Sequence, residues 1–156
     1  MAISYEFDPT DMLKMPELMA KHYEEEYIKS ANEDFNSILK GLTGQKKHIH
    51  IGVGKVLDTE LDEIKNSGEP LNKQFQQLAT LIDEQIHTHY KLWPTNYLAY
   101  DLLHKTDKYS AFYNEKEKRQ FDRRIERRVE KNDAVALENF LLMYANPVIN
   151  KEKLDG

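Results

Sequence analysis

The sequence predicts a predominantly helical α/β fold: a partial parallel sheet of about two strands with about six helices. Two short segments alternate apolar and polar residues, as strands do. Long stretches carry apolar residues at three-and-four spacing, as amphipathic helices do. The segment between the two predicted strands is long and helical, and such a crossover usually joins parallel neighbours.

The first elements are a strand and a helix. Ile3, Tyr5 and Phe7 alternate with polar residues, which predicts a strand. The turn that follows leads into a helix at Asp11, whose carboxylate suits a helix N-terminus. Pro16 is expected to end or kink this helix. Apolar spacing then predicts helix across residues 17–42, including the acidic run at residues 24–26.

The second strand is predicted at residues 47–54. Its glycines, Gly52 and Gly54, indicate a bulge or the close approach of another backbone. A short helix is predicted to begin at Asp58, and a long one to cover about residues 72–91.

Three helices are predicted in the last third of the chain. Pro94 interrupts the long helix and starts the next one. A strongly charged helix is predicted at residues 115–132, and a last helix at residues 134–144, stopped by Pro147. The aromatic residues around Trp93 favour core packing between consecutive helices, with a ligand cleft as the alternative.

Composition excludes several classes of protein. The 156 residues match one domain, and the absence of cysteine excludes a disulfide scaffold, a thiolate zinc site and a cysteine nucleophile. No apolar run is long enough for a transmembrane helix. The net charge of −5 opposes general nucleic-acid binding. We therefore expect a cytoplasmic protein without a nucleic-acid partner and without a cofactor.

The histidines suggest no complete catalytic motif. His48 and His50 lie two apart on a strand and would point the same way, so a metal pair is an alternative to two histidines on a polar face. None of the six histidines is followed five residues later by aspartate, the H-x-x-x-x-D pairing in which a carboxylate orients a base.

The charged helix is the main candidate for anion binding. Arg119, Arg123 and Arg127 lie four apart and stack along one side of it. Interleaved acidic residues favour a salt-bridged, exposed helix instead. Contact with the phosphates of an anionic lipid or of a nucleic acid is the functional alternative.

Three segments stand in a specific order: AISYEFDP at residues 2–9, KHIHIGVGK at residues 47–55 and WPTNYLAYDLL at residues 93–103. With the helical stretch between the first two, they resemble the C-terminal portion of the bacterial 1-acylglycerol-3-phosphate acyltransferase-like (lysophospholipid/glycerol acyltransferase) family.

The resemblance implies a function in phospholipid biosynthesis. The family transfers an acyl chain from a thioester carrier to a glycerophosphate hydroxyl, using the histidine of an H-x-x-x-x-D motif as the base. Neither that motif nor the family's phosphate-binding Phe-Pro-Glu-Gly-like motif is in this sequence. We therefore expect no catalytic residue here and no activity of the chain alone. At most, Ile3 and Ser4 match a strand of the family's substrate site.

The resemblance also implies an organisation and partners. Residues 1–156 would form a single domain or domain fragment, with residues 1–110 ending an acyltransferase-like domain and residues 111–156 forming a helical extension. The expected partner is the missing N-terminal part of the enzyme, or a second copy paired through an exposed sheet edge. Peripheral contact with the inner face of the membrane is also expected. The alternative function is a stand-alone helical module that binds an anionic lipid or a protein.

Overall fold

The computed structural model describes residues 1–155 and, within them, is mostly helical. The two strands are β1 (Ala2–Tyr5) and β2 (Ile49–Gly52). The helices are α1 (Asp11–His22), α2 (Glu33–Thr43), α3 (Asp58–Lys65), α4 (Leu71–His89), α5 (Pro94–His104), α6 (Glu115–Glu126) and α7 (Ala134–Asp155). A short 3₁₀ turn, Ser110–Phe112, precedes α6. The prediction of a mainly helical chain with about two strands is confirmed.

The sheet is antiparallel, so the predicted parallel pairing is wrong. Just beyond β1, the Glu6 N–H donates to the His48 carbonyl at 3.0 Å and the Phe7 N–H to the Lys46 carbonyl at 3.1 Å. The partner's number falls as the chain advances, which is the antiparallel sense. The connection between the strands contains two separate helices, α1 and α2. Such a connection can return the chain in either direction, so its length does not fix the sense of pairing.

The large apolar side chains of the sheet, its isoleucines, face outwards. Ala2 and Ser4 are buried, whereas Ile3 is 47% exposed. In β2, Ile49 and Ile51 are 55% and 58% exposed. The predicted alternation is therefore present, but the buried face carries the smaller residues. An exposed apolar face of this kind commonly marks an interaction surface.

Two prolines that were expected to interrupt helices lie inside them: Pro16 was expected to end or kink the first helix, and Pro147 to stop the last one. Pro16 lies within α1 and Pro147 within α7, which continues to Asp155. A proline in a helix removes one backbone hydrogen bond and crowds the preceding turn. Packing offsets this cost, because Met15 beside Pro16 and Val148 beside Pro147 are both buried.

The predicted helix over residues 17–42 is instead two helices. α1 ends at His22, and Glu24 then adopts φ 55°, in the left-handed region. Asn32, just before α2, has φ 65°. Two left-handed residues interrupt the helical hydrogen bonding, so the acidic run at residues 24–26 lies outside any helix. None of the described helices combines the length and apolarity that crossing a membrane requires.

The chain groups into two compact units. The first contains residues 1–4, residues 50–91 and the described residues from Asn150 onwards, with α3 and α4 in contact. Here a Cβ added at Gly52 would lie 2.4 Å from the His89 carbonyl oxygen. The prediction of a close backbone approach at Gly52 is confirmed.

The second unit contains residues 5–49 and 92–149 and holds the main hydrophobic core. Phe121 of α6 and Phe140 of α7 are fully buried. Tyr144 completes an aromatic cluster, with ring centroids 5.2 Å from Phe121 and 5.3 Å from Phe140. Leu98 and Ala99 pack α5 against the same core. This core fixes the positions of α1, α5, α6 and α7, which carry the candidate site.

Candidate anion-binding site

Helix α6 and the turn after it carry the arginines of this chain, all of which lie between residues 119 and 128. The Asn114 side chain caps the helix by accepting from the Lys116 and Glu117 N–H groups at 3.0 and 3.1 Å. The Glu117 carboxylate accepts from the Asn114 N–H at 2.8 Å, which completes a capping box. With Phe121 buried in the core, the rotation of α6 is fixed and the arginines lie on defined faces.

Asp11 at the start of α1 is the centre of a buried charge network. Its carboxylate accepts from Arg124 Nε at 2.8 Å and from Arg128 Nε at 2.9 Å. The Tyr144 hydroxyl donates to it at 3.0 Å. Asp11 is 1% exposed, so this negative charge is removed from water and depends on these donors.

The network continues to Asp8 and Tyr144. The Tyr144 oxygen also accepts from Arg124 Nε at 2.9 Å and from the Asp8 N–H at 3.1 Å. Burial, together with the charge of Asp11, raises the pKa of the Tyr144 phenol, so the group is a neutral donor. Burial alone would raise the pKa of Asp8, but hydrogen bonds from Lys14 and Thr10 outweigh it and leave that pKa below its usual value.

The two paired arginines form one wall of a basic pocket of about 400 Å³. Its lining is Phe7, Gln45, Lys47, Gln120, Arg123, Arg124, Arg127 and Arg128. Two carboxylates, Glu6 and Asp11, pair with cations of this lining. Five cations against two carboxylates leave an excess of positive charge. The pocket therefore has the electrostatic character of an anion site.

Phe7 gives the pocket a rigid floor. The Arg124 guanidinium carbon lies 4.5 Å from the Phe7 ring centroid and Lys47 Nζ lies 5.3 Å from it, both within cation–π range. Arg124 also donates through a terminal nitrogen to the Asp8 carbonyl oxygen at 2.6 Å. Arg124 is thus held from several directions, and little rotamer entropy remains for it to lose when a ligand binds.

A second carboxylate, Glu6, orders the residues beside the pocket. Glu6 is 2% exposed, and its two oxygens contact Lys47 Nζ at 2.5 Å and His48 Nδ1 at 2.6 Å. The His48 ring stacks on Trp93, with centroids 5.6 Å apart and planes 17° apart. The Glu6 carbonyl accepts from the Thr95 hydroxyl at 2.9 Å, which ties this segment to α5.

The predicted anion contacts divide into two groups. Arg123 and Arg127 line the pocket, whereas Arg119 does not. Arg123 and Arg127 are exposed and form no ion pair with any residue between 1 and 155. The helix ends at Glu126, six residues before the predicted end, and Arg127 and Arg128 follow in a turn.

The other predicted site residues lie apart from this pocket's lining. Ser4 is 1% exposed, and its hydroxyl makes no hydrogen bond within the described residues, while Ile3 is half-exposed. His48 is engaged by Glu6, and His50 is half-buried. Among residues 1–155 there is no group of three or more metal-ligating side chains placed to hold an ion.

Sequence reasoning missed the carboxylates that organise the site. Asp11 had a local explanation as a helix-start residue, and Glu6 as a polar residue of a strand. No sequence signal marks them: Glu6 and Ser4 are polar residues of the buried strand face, and Asp11 lies one helical turn before the buried Met15, facts that only the structure shows. The arginine partners of Asp11 lie more than 100 residues away in the chain, so residue spacing does not reveal the pairing.

Comparison with protein-family models, with curated proteins and with solved structures gives no match.

Proposed function

We propose that this chain is the phosphate-binding, C-terminal portion of a glycerophospholipid acyltransferase. Such an enzyme moves an acyl chain from a thioester carrier to a glycerophosphate hydroxyl. The proposal joins the resemblance of three sequence segments to one structural observation, the basic pocket on the second unit. The chain carries no H-x-x-x-x-D motif, so its part is to hold the anionic substrate or the lipid surface rather than to supply the base.

The observation that carries the proposal is how the pocket is organised. Asp11 fixes Arg124 and Arg128 by their Nε atoms, and Arg123 and Arg127 project from the same segment without carboxylate partners among the described residues. Guanidinium groups bind phosphate through paired, charge-assisted hydrogen bonds. Two arginines anchored by Asp11 beside two arginines without a carboxylate partner favour an anion with several oxygens, such as a phosphate ester.

A stand-alone module that binds anionic lipid is the second candidate, and the same pocket favours it. In that case the ligand is a membrane surface and the protein contacts the bilayer peripherally. The two candidates share the phosphate and differ in what carries it. A soluble glycerophosphate and a lipid vesicle therefore separate them.

Calorimetric titration with glycerol 3-phosphate tests the pocket directly. We expect binding that weakens as salt rises, because both partners are charged. The double variant Arg123→Gln/Arg127→Gln should bind at least about tenfold more weakly, since charge-assisted hydrogen bonds contribute about 1.5–3 kcal/mol each. Arg119→Gln is the matched control, because Arg119 lies on the same helix but outside the pocket lining. Equal losses in the two variants would contradict the assignment of the pocket.

Two further measurements separate the candidate functions. Sedimentation with phosphatidylcholine vesicles, with and without phosphatidylglycerol, measures contact with an anionic surface. An acyl-transfer assay on the chain alone should give no turnover above background, because the base is absent. Turnover by the chain alone would refute the proposed division of roles. Strong vesicle binding without glycerol 3-phosphate binding would favour the stand-alone module.

The proposal includes a protein partner, namely the remaining part of the enzyme. This partner is supported by large apolar side chains that lie exposed on the chain, whereas a complete domain would bury them. Ile3 and Ile51 in the sheet are about half exposed, and Phe35 and Leu42 on α2 are 64% and 75% exposed. In the absence of that partner, we expect these surfaces to promote self-association.

A further inference from the structure

The pairing of Glu6 with His48 has a consequence for what the neighbouring pocket recognises. Glu6 is buried and negatively charged, and a carboxylate accepts hydrogen bonds but does not donate them. The 2.6 Å contact to His48 Nδ1 therefore requires that Nδ1 carry the proton. In the neutral imidazole, the other ring nitrogen, Nε2, then carries a lone pair and is an acceptor.

The position of the His48 ring is well defined. Glu6 holds one edge of the ring, and the indole of Trp93 lies nearly parallel to its face, at a 17° angle between planes. Trp93 is itself buried, 6% exposed, so it forms a fixed support. The His48 side chain is nevertheless 62% exposed. A buried carboxylate and a buried indole thus present an imidazole to solvent in one orientation.

His48 adjoins the basic pocket through Lys47. The two side chains contact the two oxygens of the same carboxylate, at 2.6 and 2.5 Å, and Lys47 lines the pocket. We take a ligand whose phosphate lies in the pocket to extend past Lys47 to His48, which itself lies outside the pocket lining. An acceptor nitrogen there needs a donor from the ligand. An ammonium donor would be repelled by the surrounding lysine and arginines, so a neutral hydroxyl fits best.

We propose that His48 Nε2 accepts a hydrogen bond from a hydroxyl group of the phosphate-bearing ligand, so that the pocket and His48 together select hydroxylated phosphate esters. This inference rests on the proposed function of the pocket and adds a specificity-determining residue to it. It applies equally to a soluble ester and to a lipid headgroup, because the shared chemistry is a phosphate with a hydroxyl a few bonds away.

Three small phosphates of matched size test the proposal: 2-hydroxyethyl phosphate, ethyl phosphate and 2-aminoethyl phosphate. The full chain should bind the hydroxyl compound about threefold to tenfold more tightly than the ethyl compound, the range expected for one net hydrogen bond. The amino compound should bind most weakly. Vesicles of phosphatidylglycerol, which has headgroup hydroxyls, and of phosphatidylethanol, which has none, give the same comparison on a lipid surface. A preference for the hydroxyl among the small phosphates indicates a soluble ligand, and a preference among the vesicles indicates a lipid headgroup.

The decisive variant is His48→Phe, which keeps a flat ring against Trp93 and removes Nε2. We expect it to bind 2-hydroxyethyl phosphate and ethyl phosphate with equal affinity, whatever the loss of the Glu6 contact does to the affinity for both. His22→Phe, which alters an exposed histidine on α1, should keep the preference. A preference that survives in His48→Phe would overturn the proposal.

A measurement on the unchanged protein guards against a folding defect in the variant. The ¹⁵N resonance of His48 Nε2 should shift on adding 2-hydroxyethyl phosphate and shift much less with ethyl phosphate. Binding of both esters with equal affinity would refute the role of His48 and leave the pocket assignment standing. Absence of binding by all three phosphates would refute both.

Discussion

Replacing Asp11 with asparagine removes the charge at the centre of the buried network and keeps the shape of the side chain. The two guanidinium groups then lose the carboxylate that their Nε atoms contact at 2.8 and 2.9 Å. The asparagine amide also places donors where only acceptors are useful. The variant therefore leaves two partly buried cations without their counter-charge.

The magnitude follows from burial. Asp11 is 1% exposed, while the Arg124 and Arg128 side chains are 11% and 24% exposed. Breaking a buried ion pair costs about 3–5 kcal/mol, and the residual solvent at Arg128 places the loss near the lower end, about 3 kcal/mol. That is a large part of the about 5–15 kcal/mol by which small domains are stable.

Urea unfolding followed by circular dichroism measures this loss. With a denaturant slope of about 2 kcal/mol per molar, the midpoint should fall by about 1.5 M. Asp34→Asn is the control, because its carboxylate pairs with Lys29 at an exposed site, and it should leave the midpoint unchanged. Tyr144→Phe should be intermediate, since it removes hydrogen bonds but no charge. A loss below about 1 kcal/mol for Asp11→Asn would refute the view that this network organises the site.

Four other outcomes are expected. Hydrogen bonds outweigh burial and hold the pKa of Asp8 below 3.8, so the charged carboxylate stabilises the fold above that pH and loses this effect on further acidification. In an acid titration, Asp8→Asn should therefore lose stability less steeply with falling pH than the unchanged protein. An equally steep loss of stability would contradict this. Ile51→Lys, at a 58% exposed apolar position, should reduce self-association in sedimentation velocity, and identical profiles would argue against the sheet surface. Gly52→Ala should destabilise by about 1–3 kcal/mol, because its Cβ would meet the His89 carbonyl oxygen at 2.4 Å. Gly41→Ala, inside α2 with its nearest contact at 3.8 Å, should instead stabilise slightly.

The fold could be predicted from the sequence where the decisive interactions are local. The start of α5 at Pro94 and the extent of α4 follow from proline chemistry and apolar spacing. Errors arose where tertiary contacts decide. Pro16 and Pro147 lie inside helices because the residues beside them pack into the core. The sense of strand pairing also depends on contacts far apart in sequence, which the crossover rule does not describe.

The candidate site was only partly visible in the sequence. The four-residue spacing of the arginines indicated an anion-binding face, and Arg123 and Arg127 line the pocket. The same spacing gave no reason to separate them from Arg119. Arg119 lies one turn before Arg123 on the same side of α6, so the separation depends on where other elements, which carry Phe7 and Lys47, meet the helix. A buried carboxylate is recognisable only once its surroundings are known.

The most direct test of the basic pocket is an NMR titration of the arginine side chains with glycerol 3-phosphate. Nε–H resonances of arginines that meet the ligand shift, and those of arginines elsewhere do not. We predict shifts for Arg123 and Arg127, smaller shifts for the already paired Arg124 and Arg128, and none for Arg119. Shifts of equal size across all of these arginines, or a shift confined to Arg119, would contradict it.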